Sequence, residues 1–271
     1  MGSLLTRARE EGAIDWDWIV HEGRAIESIP TWDDPAAYAQ ATQKDYRRSR
    51  WVAQPKRIIV VSEKGMVRGT LEPVLEELEV DFLAVGGYAS ATRVHDLAAE
   101  ASRAQPILLF YLGDWGPSGL GMSEQDLPGR LMRYACADIH GRVLDRTQKR
   151  AWDDPDDIRQ FYTHGGLELR RIALTRLDTE ALGPDLGFPA TDKKKDPRYT
   201  WFLRYERRRP AWCWELDAMN PTLLRERVAA AIRGELNLVQ WERYVAAEAA
   251  ERESIRKTLS TWKSISGLAS E

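Results

Sequence analysis

The hydrophobic pattern of the chain changes near residue 56, from scattered apolar positions to a regular alternation of strand-like and helix-like segments. Two unbroken apolar runs, within 57–62 and 107–112, are each bounded by turn residues. Such runs are typical of strands that are buried on both faces, as in a parallel sheet. Between them lie helical patterns over 68–79 and 89–103 and a further strand pattern over 80–86. This order predicts parallel strands joined by right-handed helical crossovers.

Strand and helix patterns continue toward the C-terminus. Ser123 marks the predicted start of a helix that ends near residue 135. Strand patterns return over 167–175 and 211–219, where the second is interpreted as a last strand. Asn220-Pro221 predicts the start of a helix, and helical patterns continue from there to about residue 263.

These elements predict an α/β fold with a parallel sheet of about four strands flanked by helices. The α/β domain is expected over 51–220, with the polar residues 138–166 as a surface insertion. Residues 1–50 carry helical fragments with too little apolar pattern to form a core of their own. Residues 221–271 are interpreted as a helical tail. Its polar middle predicts that it projects from the domain or meets a second copy or another chain.

Composition and charge exclude fewer possible functions than the hydrophobic pattern does. The 271 residues carry a net charge of −3, which gives no global indication of nucleic-acid binding. Two basic runs, Lys193–Lys195 and Arg207–Arg209, are either solvated loops or a rim that follows a DNA backbone. No apolar run is long enough to cross a bilayer. The two cysteines have no metal-ligand spacing, so a cytoplasmic protein with reduced thiols is expected.

Two carboxylates follow the two buried strands. Glu63 comes directly after the first strand and Asp114 comes shortly after the second. Because the carboxyl ends of parallel strands meet at one edge of the sheet, we expect both side chains at that edge. Paired carboxylates of this kind suit a divalent cation such as Mg²⁺.

The motifs around these carboxylates resemble those of the Toprim fold. The first is Glu63-Lys64-Gly65, and after two α/β units the second follows as Gly113-Asp114-x-x-Pro117-Ser118-Gly119. The Toprim fold is shared by topoisomerases, bacterial primases and OLD-type nucleases. Three further segments are similar to stand-alone Toprim proteins of the topoisomerase VI A subunit-like branch, namely Trp51 with Gln54-Pro55, Arg171–Thr175 and Trp214–Ala218.

The resemblance implies Mg²⁺-dependent (or Mn²⁺-dependent) cleavage of DNA phosphodiester bonds, most simply as a nuclease that uses water. It assigns Glu63 as general acid/base and Asp114 as a metal ligand. Lys64 and Arg68 are then expected to contact a phosphate, as a point charge and as a fork respectively.

The chain departs from the Toprim pattern in two places. The second acid of the expected Asp-x-Asp pair is Gly116, and Glu215 and Asp217 are candidates to supply the missing metal ligand. The upstream winged-helix region that carries a nucleophilic Tyr in topoisomerase VI-like relatives is represented only by a segment like its tail, within 4–24. Two alternatives therefore stay open: a catalytically degenerate module that binds nucleic acid or a protein partner, and a DNA-cleaving subunit that works with a winged helix on another chain.

Overall fold

The computed structural model describes residues 11, 13, 29–85, 91–103, 105–135 and 166–268 of the chain. Of the predicted insertion over 138–166, only Gly166 lies within the described residues. The chain divides into two compact units: residues 47–253 form one, and residues 1–46 with 254–271 form the other. Among the described helices, none is both long and apolar enough to cross a membrane.

Four strands form one parallel sheet in the larger unit, so the predicted α/β class is confirmed. They are β1 (Arg57–Ser62), β2 (Asp81–Ala84), β3 (Ile107–Leu112) and β4 (Leu167–Ala173). Their order in the sheet is β2-β1-β3-β4, and every neighbouring pair is parallel. In the central pair, Ser62 at the end of β1 lies opposite Leu112 at the end of β3. The segments that leave these two strands therefore start side by side.

Helices cover both faces of the sheet. The flanking helices are α2 (Val67–Leu78), α3 (Ala91–Arg103), α4 (Pro117–Gly121), α5 (Leu127–Ala135), α6 (Arg176–Leu182), α7 (Tyr199–Glu206) and α8 (Pro221–Gly234). The C-terminal segment is also helical, as α9 (Leu238–Leu268). Alternate strand residues point to opposite faces. Phe110 therefore joins the cluster that contains Leu71 of α2 and Val228 of α8. Tyr111 joins a second cluster, with Val94 of α3.

The smaller unit contains α1 (Pro35–Asp45), whose start follows from local chemistry. Asp34 caps the helix by accepting a hydrogen bond from the Ala37 N–H at 2.7 Å. Pro35 at the first helical position costs no hydrogen bond, because its missing N–H would have had no partner inside the helix.

The helix predicted to begin at Ser123 begins earlier, at Pro117. Helical backbone runs from Pro117 through a π-helical turn over Met122–Asp126 and on to Ala135. Gly116 supplies the extended residue before the helix, and Pro117 suits its first turn. The Ser123 hydroxyl donates to the Gly119 carbonyl oxygen one turn back, at 3.4 Å, instead of capping a new helix.

The prediction of a strand over 211–219 is wrong in length, because the observed strand is much shorter. Only β6 (Trp212–Cys213) is a strand, and it pairs antiparallel with β5 (Phe188–Pro189) in a separate two-stranded sheet. The chain then turns into a 3₁₀ helix over Leu216–Ala218. The helix predicted to start at Asn220-Pro221 is confirmed as α8, since Asn220 accepts a hydrogen bond from the Thr222 N–H at 2.8 Å.

Candidate active site at the carboxyl edge of the sheet

Glu63 and Asp114 share one edge of the sheet, which we call the carboxyl edge. Glu63 follows β1 directly, and Asp114 follows β3 after Gly113. Burial and then the nearby negative charge of Asp114 raise the pKa of Glu63 above its ordinary value. The two carboxylates are therefore close enough to influence each other, as the register of the strands predicts.

A backbone bridge brings Glu215 and Asp217 to the same edge. The Trp115 N–H donates to the Trp214 carbonyl oxygen at 2.8 Å, and the Trp214 N–H donates back to the Trp115 carbonyl oxygen at 2.9 Å. The side chain of Asp114 accepts a further hydrogen bond from the Leu216 N–H at 2.8 Å. These bonds join segments a hundred residues apart in sequence, so the sequence alone could propose this proximity but not establish it.

Lys64 stands among three of the carboxylates. Its Nζ lies 3.4 Å from Asp114 Oδ1, 3.3 Å from Glu215 Oε2 and 3.5 Å from Asp217 Oδ2. Burial on its own would lower the pKa of Lys64, but the attraction of the three carboxylates outweighs it, so this pKa is raised. We call Asp114, Glu215 and Asp217 the acidic group. The predicted contact of Lys64 with a phosphate stays a prediction.

Glu63 is held by one hydrogen bond and leaves one oxygen without a partner. Ser118, in the first turn of α4, donates from its Oγ to Glu63 Oε1 at 3.2 Å. Glu63 Oε2 is buried and has no hydrogen-bond partner among the described residues. A buried carboxylate oxygen without a donor is costly, which makes it a candidate to receive a proton or a cation.

Arg171 of β4 ties down the loop that carries Asp114. Its buried guanidinium donates to the carbonyl oxygens of Gly113 and Gly119 at 2.8 Å and of Leu174 at 2.9 Å, and to Ser123 Oγ at 3.0 Å. Gly119 lies so close to this loop that a Cβ there would be 2.3 Å from the Asp114 carbonyl oxygen. No role was predicted for Arg171 from the sequence, because most of its partners are backbone carbonyl oxygens, which leave no residue-type signal.

Gly116 stands where the Toprim pattern has a second acid, and the structure accommodates a Cβ there. Its φ of −173° is extended backbone that any residue adopts. A Cβ at this position would contact Cys213 Sγ at an ordinary 3.5 Å. Burial raises the pKa of the Cys213 thiol to about 12, so this cysteine is protonated at neutral pH and unreactive.

The basic residues are distributed unevenly around this edge. Lys193 lies over the Phe188 ring of β5 at 5.3 Å, and Lys193–Lys195 are exposed. Arg198 is near enough for its charge to favour the ionised form of Glu63 and so to oppose the rise in that pKa. Arg198 also pairs with Asp196, at 2.8 Å. Arg198 was not among the residues predicted from the sequence.

Other basic residues that were predicted to contact DNA or phosphate have partners within the protein. Arg208 pairs with the buried Glu206, and Arg209 donates to the Leu203 carbonyl oxygen at 2.9 Å. Two residues of the second basic run are thus engaged with the protein itself. Arg68, the second predicted phosphate contact, is exposed on α2 and lies 3.6 Å from Glu72.

The donors at the carboxyl edge match Mg²⁺ or Mn²⁺ in kind. Both cations prefer carboxylate oxygens. The edge offers the carboxylates of Glu63, Asp114, Glu215 and Asp217, and among the described residues Glu63 Oε2 has no hydrogen-bond partner. Within the described part of the chain, no three such side chains already form a ligand set. The ammonium of Lys64 lies between Asp114, Glu215 and Asp217, the side chains that would bind a metal.

Comparison of the chain with protein-family models, with curated proteins and with solved structures gave no match. The resemblance to Toprim proteins therefore stays a prediction from the sequence motifs. The chemistry of that edge has to be derived from its own residues.

Proposed function

We propose that this chain acts on nucleic-acid phosphodiester bonds with Mg²⁺ or Mn²⁺ at the carboxyl edge. The observation that carries the proposal is that Asp114, Glu215 and Asp217 surround the ammonium of Lys64, with the carboxylate of Glu63 near enough to Asp114 for its pKa to be raised. An anionic phosphate would be repelled by this excess of negative charge. A divalent cation offsets two of these negative charges and can bind the phosphate oxygens directly, so the edge suits a phosphate when a cation accompanies it.

Each side chain then has a distinct task. Asp114, Glu215 and Asp217 would hold the cation, which supplies stabilisation of the negative charge that develops on the phosphate oxygens. Glu63 accepts the proton of the attacking water, as its raised pKa brings it toward the range of a useful general base. Ser118 fixes the orientation of Glu63 through the hydrogen bond to Oε1.

Nicking of supercoiled plasmid DNA tests this proposal. The unmodified protein should convert supercoiled to relaxed circles in the presence of Mn²⁺ or Mg²⁺ and should do nothing in EDTA. Glu63→Gln keeps the size of the side chain and removes its proton-accepting oxygen, so it should abolish nicking. Nicking that persists in Glu63→Gln, or nicking that needs no metal, would overturn the assigned role of this edge.

A binding module without cleavage is the second candidate, and Gly116 favours it. With no acid at this position, the edge lacks one anionic ligand of the Toprim pattern. Such a module should shift labelled DNA in EDTA at low salt and show no nicking with any metal.

Gly116→Asp distinguishes the two candidates, because a Cβ at this position meets its neighbours at ordinary distances. In an edge that is otherwise competent, the added carboxylate should strengthen Mn²⁺ binding and raise nicking, and Glu63→Gln should remove the gain. Gly116→Ala is the matched control, since it fills the same space without adding an oxygen. A Gly116→Asp variant that binds DNA and still does not nick would favour the binding module.

A further inference from the structure

We propose that Lys64 is a built-in counter-ion of the acidic group, and that a divalent cation must displace its ammonium in order to bind. The inference deepens the proposed function and takes from it the identity of the cation. It concerns how the metal is admitted to the carboxyl edge. Its tests do not depend on cleavage.

The first support is the position of the ammonium. Lys64 Nζ is nearly equidistant from three carboxylates, at 3.3 to 3.5 Å. These carboxylates belong to two separate segments, the loop after β3 and the turn after β6. Among the described residues, Lys64 is the only cation within 4 Å of Glu215 or Asp217. A metal that draws these carboxylates together would have to occupy the space that Nζ now takes.

The second support is that Lys64 is able to leave. The side chains of Glu215 and Asp217 are 49% and 71% exposed, and ion pairs with such exposed groups are individually weak. The Lys64 side chain is a flexible four-carbon stem. A displaced ammonium therefore stays within reach of the same edge, where a bound phosphate would give it a new partner.

This arrangement has a consequence for the order of events. Metal alone competes with the ammonium, whereas metal together with a phosphate gives the displaced ammonium an anion to pair with. The free protein should therefore bind a divalent cation weakly. The affinity should rise when Lys64 is removed.

Titration of free Mn²⁺, followed by electron paramagnetic resonance, measures this competition directly. Lys64→Met removes the charge and keeps a side chain of comparable length, and we expect it to bind Mn²⁺ about tenfold more tightly than the unmodified protein. Lys194→Met, at an exposed lysine outside the acidic group, should leave the affinity unchanged. Adding Asp114→Asn to Lys64→Met should remove the gain. Equal or weaker Mn²⁺ binding by Lys64→Met would overturn the proposal.

Chemical labelling of the unmodified protein provides a test that does not depend on the folding of a variant. The Lys64 amine should react more rapidly with an acylating reagent as Mn²⁺ is added, because the ammonium leaves the acidic group. The rate at Lys194, read by mass spectrometry in the same sample, should stay constant. Lys64 labelling that is unchanged or slower while Mn²⁺ is bound would overturn the proposal.

The outcomes separate this inference from the proposed function. Tighter Mn²⁺ binding by Lys64→Met without nicking by any variant would support the counter-ion role and reject the enzyme. Nicking by the unmodified protein, with Lys64→Met binding Mn²⁺ no more tightly, would support the enzyme and reject the counter-ion role.

Discussion

Gly119 shows how a single residue fixes the geometry of the carboxyl edge. Its Cα lies against the backbone of Asp114, where a Cβ would stand 2.3 Å from a carbonyl oxygen. Only a residue without a Cβ permits this approach. The position of the Asp114 carboxylate therefore depends on a glycine that contributes no functional group.

Replacing Gly119 by Ala is expected to destabilise the protein by about 1–3 kcal/mol, the usual cost of overpacking. Alanine in a helix is otherwise more favourable than glycine, so a loss would identify the clash as its cause. Gly116→Ala is the matched control, because its Cβ meets Cys213 at an ordinary distance, so its loss of stability should be clearly smaller than that of Gly119→Ala. Urea denaturation measures both. Equal costs at the two positions would contradict this account of the loop.

Glu63→Gln should stabilise the protein at neutral pH. Burial, with the charge of Asp114, raises the folded-state pKa of Glu63, so the folded protein holds this proton more tightly than the unfolded chain. Its contribution to stability therefore falls as pH rises through the window from the unfolded value of about 4.3 upward to the folded value. The variant should melt at a higher temperature than the unmodified protein at pH 7, and the difference should shrink toward pH 4. Glu226→Gln, at an exposed glutamate on α8, is the control. A difference that grows on acidification would contradict the prediction.

The site residues divide into those that local pattern predicts and those that it does not. Glu63 and Asp114 were predictable, because each follows an unbroken apolar strand and the strands are parallel. The ion pairs of Lys64 with Glu215 and Asp217 were not, since they depend on the Trp115–Trp214 bridge between distant segments. The role of Arg171 as an anchor could not be predicted, because a buried guanidinium that binds backbone carbonyls looks in sequence like any arginine in a strand.

At the scale of elements, the strands were more predictable than the segments that position the site. The positions of β1 and β3 were predictable from their unbroken apolar runs, because both faces of these strands are buried. The segment 211–219 also begins with apolar residues, but after two strand residues it leaves the strand and hydrogen-bonds to the Asp114 loop. Tertiary contacts of this kind override local propensity.

Arg171 connects β4 to the loop after β3, and its removal should loosen that loop. Arg171→Met would leave the carbonyl oxygens of Gly113, Gly119 and Leu174 without their charged donor, at a cost of about 2 kcal/mol or more. Arg170→Met is the matched control from the same strand. The Arg170 side chain is more exposed and pairs with Glu168 and Glu235, and such pairs contribute about 0–1 kcal/mol. Guanidinium denaturation compares the two, and equal losses would show that Arg171 is not the anchor of this loop.

At the scale of the whole molecule, charge limits how the chain can meet a nucleic acid. The net charge of −3 is unfavourable for a polyanion, so attraction has to come from a local patch. Lys193–Lys195 form such a patch, exposed in the segment that leads to Arg198 and the carboxyl edge. In the second basic run Arg207 is exposed, whereas Arg208 pairs with Glu206 and Arg209 donates to a backbone carbonyl oxygen.

DNA affinity should therefore fall steeply with salt, and the slope should depend on Lys193–Lys195. Each phosphate that a lysine neutralises contributes about 0.9 to the slope of log affinity against log salt concentration. Changing the three lysines to Glu should lower the affinity and remove about two to three from the slope, as measured by fluorescence anisotropy over a salt series. Arg233→Glu is the control. Arg233 lies at the C-terminal end of α8 and pairs with Glu77 near the end of α2 that is farther from Glu63, so its reversal should leave the slope unchanged. An equal effect of both reversals would show that DNA responds only to net charge, and binding that does not vary with salt would exclude the patch as the contact.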